Sequence, residues 1–181
     1  MRTASDFVCS RLRTQSCAPS ITRLTAGAAS ALGLVAGPIH AELRIDGTRA
    51  WLLELAARSI GGLCSRSLRF GLGVSLEELI LRHALGLPLD GLAREEAASG
   101  VMMLPIPRAG VLEEVRGQDE ALAVPGVTGL EISIARGRPV RPLPEGDRYL
   151  GFLFARGETP DEVEQALRTA HGRLEIVIGE P

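Results

Sequence analysis

With 181 residues and a formal net charge of −2, the chain is long enough to bury a core and carries no strong excess of either charge. That balance removes the electrostatic footprint of a nucleic-acid or anionic-membrane binder, and an aromatic content of 3% removes the stacking platforms used on single strands. All 20 basic residues are arginines and asparagine is absent, so a bound phosphate must be met by guanidinium groups, backbone N–H groups or a metal.

Residues 1–19 hold three arginines and one acid but lack the apolar run of a signal peptide. They are expected to be a disordered or non-native amino terminus, with a transit peptide as the alternative. Ala26 to Val35 is too short and too rich in small residues to span a bilayer. Cys9, Cys17 and Cys64 are odd in number and lack metal-type spacing, which suits reduced thiols in a cytoplasmic protein.

From Ser20, the apolar residues Ile21, Leu24, Ala28 and Leu32 recur at helical spacing, with Gly33 near the end. Gly37-Pro38 breaks the chain. From His40 to Leu55 the pattern becomes alternation, with Asp46-Gly47 as the turn signal of a hairpin. A glycine-rich stretch from Gly61 to Gly73 reads as loop with a short strand. Ser75-x-x-Glu78 then has the form of a capping box, and Leu76, Leu79 and Ile80 mark a helical face stopped by Gly86 and Pro88.

Ala93 to Ser99 is acidic and alanine-rich and makes the best domain boundary. Beyond it, Val101–Ile106 and Leu130–Ala135 read as strands. Tyr149–Phe154 is a strand, Thr159-Pro160-x-Glu162 caps a helix with Val163, Ala166, Leu167 and Ala170 on one face, and Leu174–Ile178 is a final strand. The class is α+β.

The hairpin carries the candidate chemistry. With Ile45 opposite Trp51, the side chains of Ala41, Leu43, Ile45, Trp51, Leu53 and Leu55 share one apolar face that should be buried. The other face holds Glu42, Arg44, Leu52 and Glu54, with Glu42 directly across from Glu54. Like charges so placed repel by about 0.2–1 kcal/mol. A divalent cation between them reverses the sign, and Mg²⁺ accepts one or two carboxylates while keeping waters and substrate phosphates. Arg58 follows where the strand runs out, and Gly61-Gly62 permits close backbone approach to an anion. Two independently solvated glutamates are the plainer alternative.

Gly37-Pro38-Ile39-His40-Ala41-Glu42, Leu53-Glu54-Leu55-Ala56-Ala57-Arg58 and Gly61-Gly62 together resemble the end of the ATP-grasp domain of carboxylate–amine ligases. That group includes L-amino-acid ligases and is related to biotin carboxylase. The resemblance continues through Ser75 to Gly86 and runs on to Gly151-Phe152-Leu153-Phe154-Ala155-Arg156-Gly157. It implies metal ligation by Glu42 and Glu54, contact of Arg58 with the transferred phosphate and acyl phosphate as the catalytic group, and a lining of the same intermediate by Gly61 and Gly62. His40, on the Glu42 side of the strand, could help bind an anionic substrate or serve structure alone.

The implied fold is the C-terminal half of an ATP-grasp domain over residues 20–98, an antiparallel sheet with helices, followed by a small α+β domain over residues 99–181. The implied cofactors are ATP with Mg²⁺ or Mn²⁺. The implied partners are small carboxylate and amine substrates and a separate chain carrying the missing N-terminal half. Ala56 departs from the family, many of whose members have a metal-ligating asparagine there. The lysines that clamp ATP in the family have no counterpart here, so the chain is expected to be inactive alone, or to be a remnant or interaction module. Cys64 is expected to be structural. His83 and His171 look like helix-terminal residues favourable to the dipole. Arg136, Arg138 and Arg141 read as a solvated loop.

Overall fold

The computed structural model describes residues 7–9, 18–46, 49–71 and 73–180. Contacts divide the chain into one unit of residues 12–95 and another of residues 1–11 with 96–181.

In the first unit, helix α1 (Ala18–Ala31) packs on the second strand of a hairpin, β2 (His40–Asp46) with β3 (Arg49–Ala56). A single 3-10 turn, Cys64–Ser67, follows, and then α2 (Leu76–Ala84). Ser75 caps α2 by accepting from the Glu78 N–H at 3.1 Å. The Glu78 carboxylate does not reach back to complete the predicted capping box. It accepts from Arg82 one turn on, at 2.8 Å. At the far end, the His83 Nε2 accepts the Gly37 N–H at 3.2 Å, which ties the entry of β2 to α2. His83 therefore does more than oppose a helix dipole.

The second unit holds the main core. Its four-stranded sheet runs β1 (Phe7–Cys9), β4 (Ala98–Leu104), β8 (Gly151–Gly157), β6 (Val127–Ile132), all neighbours antiparallel. Phe7–Cys9 thus form a strand within the stretch expected to be disordered or non-native. A three-stranded sheet runs β7 (Pro139–Val140), β5 (Gly110–Arg116), β9 (Glu175–Gly179). Helix α3 (Gln118–Leu122) follows β5, and α4 (Pro160–His171) packs on β4 and β8.

Sequence explains α4 fully. Thr159 accepts from the Glu162 N–H at 3.3 Å while the Glu162 carboxylate accepts from the Thr159 N–H, and Pro160 supplies the first-turn φ. The predicted face is the one inside: Val163, Leu167 and Ala170 are fully buried and Ala166 nearly so. They meet Leu153 and Ala155 of β8 in one apolar cluster that also takes in Leu112 of β5 and Ile178 of β9.

Strand β5 and helix α3 were not predicted. The Leu112–Glu114 step of β5 contains a register shift against β9, so Glu113 interrupts the alternation that would mark a strand. No helix among the described residues is long and apolar enough to cross a membrane.

Leu167 fills the interface between α4 and the sheet, so Leu167→Ala should cost about 2–5 kcal/mol. Leu53, 65% exposed, should lose little on truncation, by about 0.5 kcal/mol or less. Urea titrations of both variants at fixed m-value check this contrast; comparable losses would contradict the described packing.

Candidate functional site on the glutamate hairpin

The hairpin pairs Asp46 with Arg49, Ile45 with Ala50, Arg44 with Trp51 and Leu43 with Leu52. The expected opposition of Ile45 and Trp51 is therefore wrong by one residue near the turn. The register shifts between Leu43 and Glu42, leaving Leu53 as an extra residue in β3. Beyond that bulge Glu42 faces Glu54, Ala41 faces Leu55 and His40 faces Ala56. The predicted glutamate pair is present because the bulge offsets the first error.

The predicted buried face needs the same correction. Trp51 is 45% exposed and Leu53 65% exposed, while Ala50 and Leu52 turn toward the half-buried side with Ala41, Leu43, Ile45 and Leu55. An added residue inverts the alternation of everything past it, and this is why Leu52 leaves the polar face on which it was expected.

Each glutamate has one cationic or potentially cationic neighbour. The His40 Nε2 lies 3.4 Å from the Glu42 Oε1, two residues apart on one face of β2. The Arg58 Nη2 lies 3.7 Å from the Glu54 Oε1. The chain turns sharply past β3, where the Arg58 N–H donates to the Ala56 carbonyl at 2.9 Å, and this returns the guanidinium to Glu54. Arg58 also donates through Nη1 to the Ser59 carbonyl at 3.0 Å. A Cβ at Gly61 would stand 3.9 Å from that same Nη1, an ordinary van der Waals contact, so Gly61 lies beside the guanidinium. Gly62 has φ of 61°, a left-handed conformation that glycine adopts without steric cost.

The glycine loop is anchored by a contact that sequence reading missed. The buried Ser65 hydroxyl donates to the Glu77 carboxylate in the first turn of α2, and Arg69 adds a favourable field. The hydrogen bond is the main reason the Glu77 carboxyl titrates below its ordinary value. Nothing in the local pattern marks Glu77 apart from Glu78, so only the fold reveals it. Cys64 is buried and unpaired, and burial raises its thiol pKa, as suits a structural residue. Cys17 and the side chain of Cys9 lie outside the described residues.

Among the described residues no group of three or more His, Cys, Asp or Glu side chains is gathered as a metal cluster. Two facing carboxylates are a donor set that fits Mg²⁺ completed by water and phosphate, and not a closed structural site. The carboxylates are open to such additions: Glu42 and Glu54 are 58% and 55% exposed.

With this geometry described, the relatives can be stated. Residues 6–67 match the family model of the ATP-grasp domain. Residues 102–179 match that of the L-amino acid ligase C-terminal domain 2. The chain is thus similar to an ATP-grasp domain over its first third and to an L-amino acid ligase C-terminal domain over its last part. The L-amino acid ligase from Bacillus licheniformis superposes with a TM-score of 0.80 at 24% identity, covering 97% of this chain and 44% of that one. Phosphoribosylglycinamide synthetase from Anaerococcus prevotii gives 0.78 at 12% identity over 96% and 45% of the two chains. Biotin carboxylase from Campylobacter jejuni, in a β,γ-ATP complex, gives 0.69 at 17% identity over 97% and 40%. These likenesses establish the fold, and the chain spans less than half the length of each of them. No curated protein matches it.

Because Glu77 titrates low in the folded state, its contribution is present above the ordinary carboxylate pKa and is lost as pH falls through the depressed one. Ser65→Ala should therefore destabilise the chain by about 0.5 kcal/mol near neutrality, after discounting for solvent screening. The gap from wild type should close between about pH 6 and about pH 3. Urea midpoints across that range test it, and a pH-independent gap would assign the loss to packing instead.

Proposed function

We propose that this chain provides the metal-binding and acyl-phosphate-binding end of an ATP-dependent carboxylate–amine ligase. The observation that carries the reading is the cross-strand pairing of Glu42 with Glu54 beside Arg58 and the glycine pair. In the reaction, a substrate carboxylate oxygen attacks the γ-phosphorus of ATP, forming an acyl phosphate and releasing ADP. An amine then attacks the acyl carbon, the carbon–oxygen bond to phosphate breaks, and inorganic phosphate leaves as the amide forms.

Such a sequence needs positioning and charge neutralisation and no protein nucleophile. Glu42 and Glu54 would hold Mg²⁺ or Mn²⁺. When bound, the metal neutralises phosphate charge. Arg58, its side chain 53% exposed beside Gly61, is the catalytic residue that meets the transferred phosphoryl group. Gly61 and Gly62 allow the backbone to approach the acyl phosphate, and His40 lies on the same side to meet an anionic group.

A second reading is a catalytically incomplete remnant or an interaction module that keeps the fold. Two observations favour it: alanine at position 56 instead of asparagine, and the lack of any lysine to clamp phosphates. Under the first reading the remaining nucleotide contacts come from polypeptide outside these residues, including a separate chain carrying the other half.

Binding to the folded state raises the melting temperature in proportion to the logarithm of ligand concentration above Kd. Mg²⁺ or Mn²⁺ at millimolar concentration should stabilise the wild-type chain, and Glu54→Gln should abolish the increase. An equal metal response in wild type and variant would reject the pair as a metal site. Absence of a heat signal with Mg-ATP in calorimetry would select the remnant reading for the chain by itself.

A further inference from the structure

The ligase reading gives Glu54 to a cation and Arg58 to a phosphoryl group, but in the folded chain the two hold each other. The Arg58 Nη2 lies 3.7 Å from the Glu54 Oε1, with the two side chains 53% and 55% exposed. Among the described residues Glu54 is the one carboxylate paired with Arg58, and Arg58 the one cation paired with Glu54. The other terminal nitrogen of Arg58, Nη1, donates to the Ser59 carbonyl at 3.0 Å. Both ends of the guanidinium fork are therefore engaged within the chain.

The pair opposes each of its assigned roles. A guanidinium is charged at every working pH, so one at 3.7 Å repels any cation that approaches Glu54. An ionised Glu54 at the same distance repels any phosphate that approaches Arg58. Opening the pair for one ligand removes the obstacle to the other, and such coupling acts equally in both directions. Glu42 stands under no comparable constraint, because its neighbour at 3.4 Å is the imidazole of His40 and not a permanent charge.

We infer that the Arg58–Glu54 ion pair is a counter-ion lock on this site, closed in the metal-free chain and exchanged for a cation on Glu54 and a phosphoryl group on Arg58. The inference rests on the roles proposed above for these two residues. The lock makes loading cooperative: it keeps Arg58 neutralised until Glu54 is taken, so an anion without a cation finds a weak site. Because both groups are more than half exposed, the lock is a weak one, worth a severalfold change in affinity and not orders of magnitude.

The test is binding of Mn²⁺ to the full chain without nucleotide, read from the electron paramagnetic resonance of the free ion in low-salt buffer. Arg58→Gln removes the competing charge and should tighten Mn²⁺ binding by about threefold. Arg58→Lys keeps the charge and should bind as wild type does. The gap between Arg58→Gln and wild type should shrink as salt is raised to about 1 M, where the Debye length is about 3 Å. Both substitutions change an exposed side chain, and circular dichroism checks that the variants fold. Equal or weaker binding by Arg58→Gln would overturn the lock, since Arg58 would then only support Glu54. A gain in Arg58→Lys equal to that in Arg58→Gln would overturn it too, by assigning the effect to shape. Glu54→Gln separates the two readings: Mn²⁺ binding that it abolishes, with no gain in Arg58→Gln, leaves the ligase reading standing without the lock. Absence of saturable Mn²⁺ binding in wild type and Arg58→Gln alike removes both.

Discussion

One surplus residue in β3 controls which side chains of the hairpin can act together. Strand side chains alternate, so every position beyond Leu53 is moved to the opposite face from the one an unbroken ladder would give it. Without the bulge, Glu42 would stand opposite Leu53, and the pair with Glu54 would be lost. With it, the two carboxylates stand across from each other at the end of the hairpin nearest Arg58 and the glycines. The repulsion is about 0.2–1 kcal/mol, small enough for the paired backbone of the hairpin to hold a like-charge pair.

The supports of this hairpin are polar and local. Gly37 is tied to His83, Ser65 to Glu77, and Arg58 to both Ser59 and Glu54. Apolar support is thin. In this unit the buried apolar side chains among the described residues are Ala29 and Cys64, whereas the other unit buries a contiguous cluster running from Ala98 to Ile178. Leu24, Leu32, Val35, Ile39, Trp51, Leu53, Leu81, Leu85, Leu87 and Leu89 are all exposed, so much of the apolar surface of this unit is left uncovered.

Much of this was legible in the residues. Helix α4 announced itself because its cap, its proline and its apolar stripe all point the same way, and each proved to be used. The α+β class and the ligase-type ending followed from ordered motifs whose spacing survives in the fold. The hairpin was legible as a hairpin, but a bulge has no signature in alternation alone, since Leu52, Leu53 and Leu55 are chemically interchangeable to a pattern reader. The glutamate pairing was thus reached through a register that holds only past Leu53. Strand β5 was hidden for the same reason, by Glu113. The Ser65–Glu77 bond joins a 3-10 turn to a helix, and no periodicity reports such a contact.

The uneven burial also bears on time. Local opening costs least where few apolar contacts must be broken, so backbone amides of the hairpin and α2 should open through low-energy fluctuations, while those of β4, β8 and α4 should wait for near-global unfolding. A chain so graded carries a well-packed core in residues 98–179 and a hairpin that opens more readily. In a ladder that opens easily, two facing carboxylates can relieve their repulsion by small excursions without disturbing the core elsewhere.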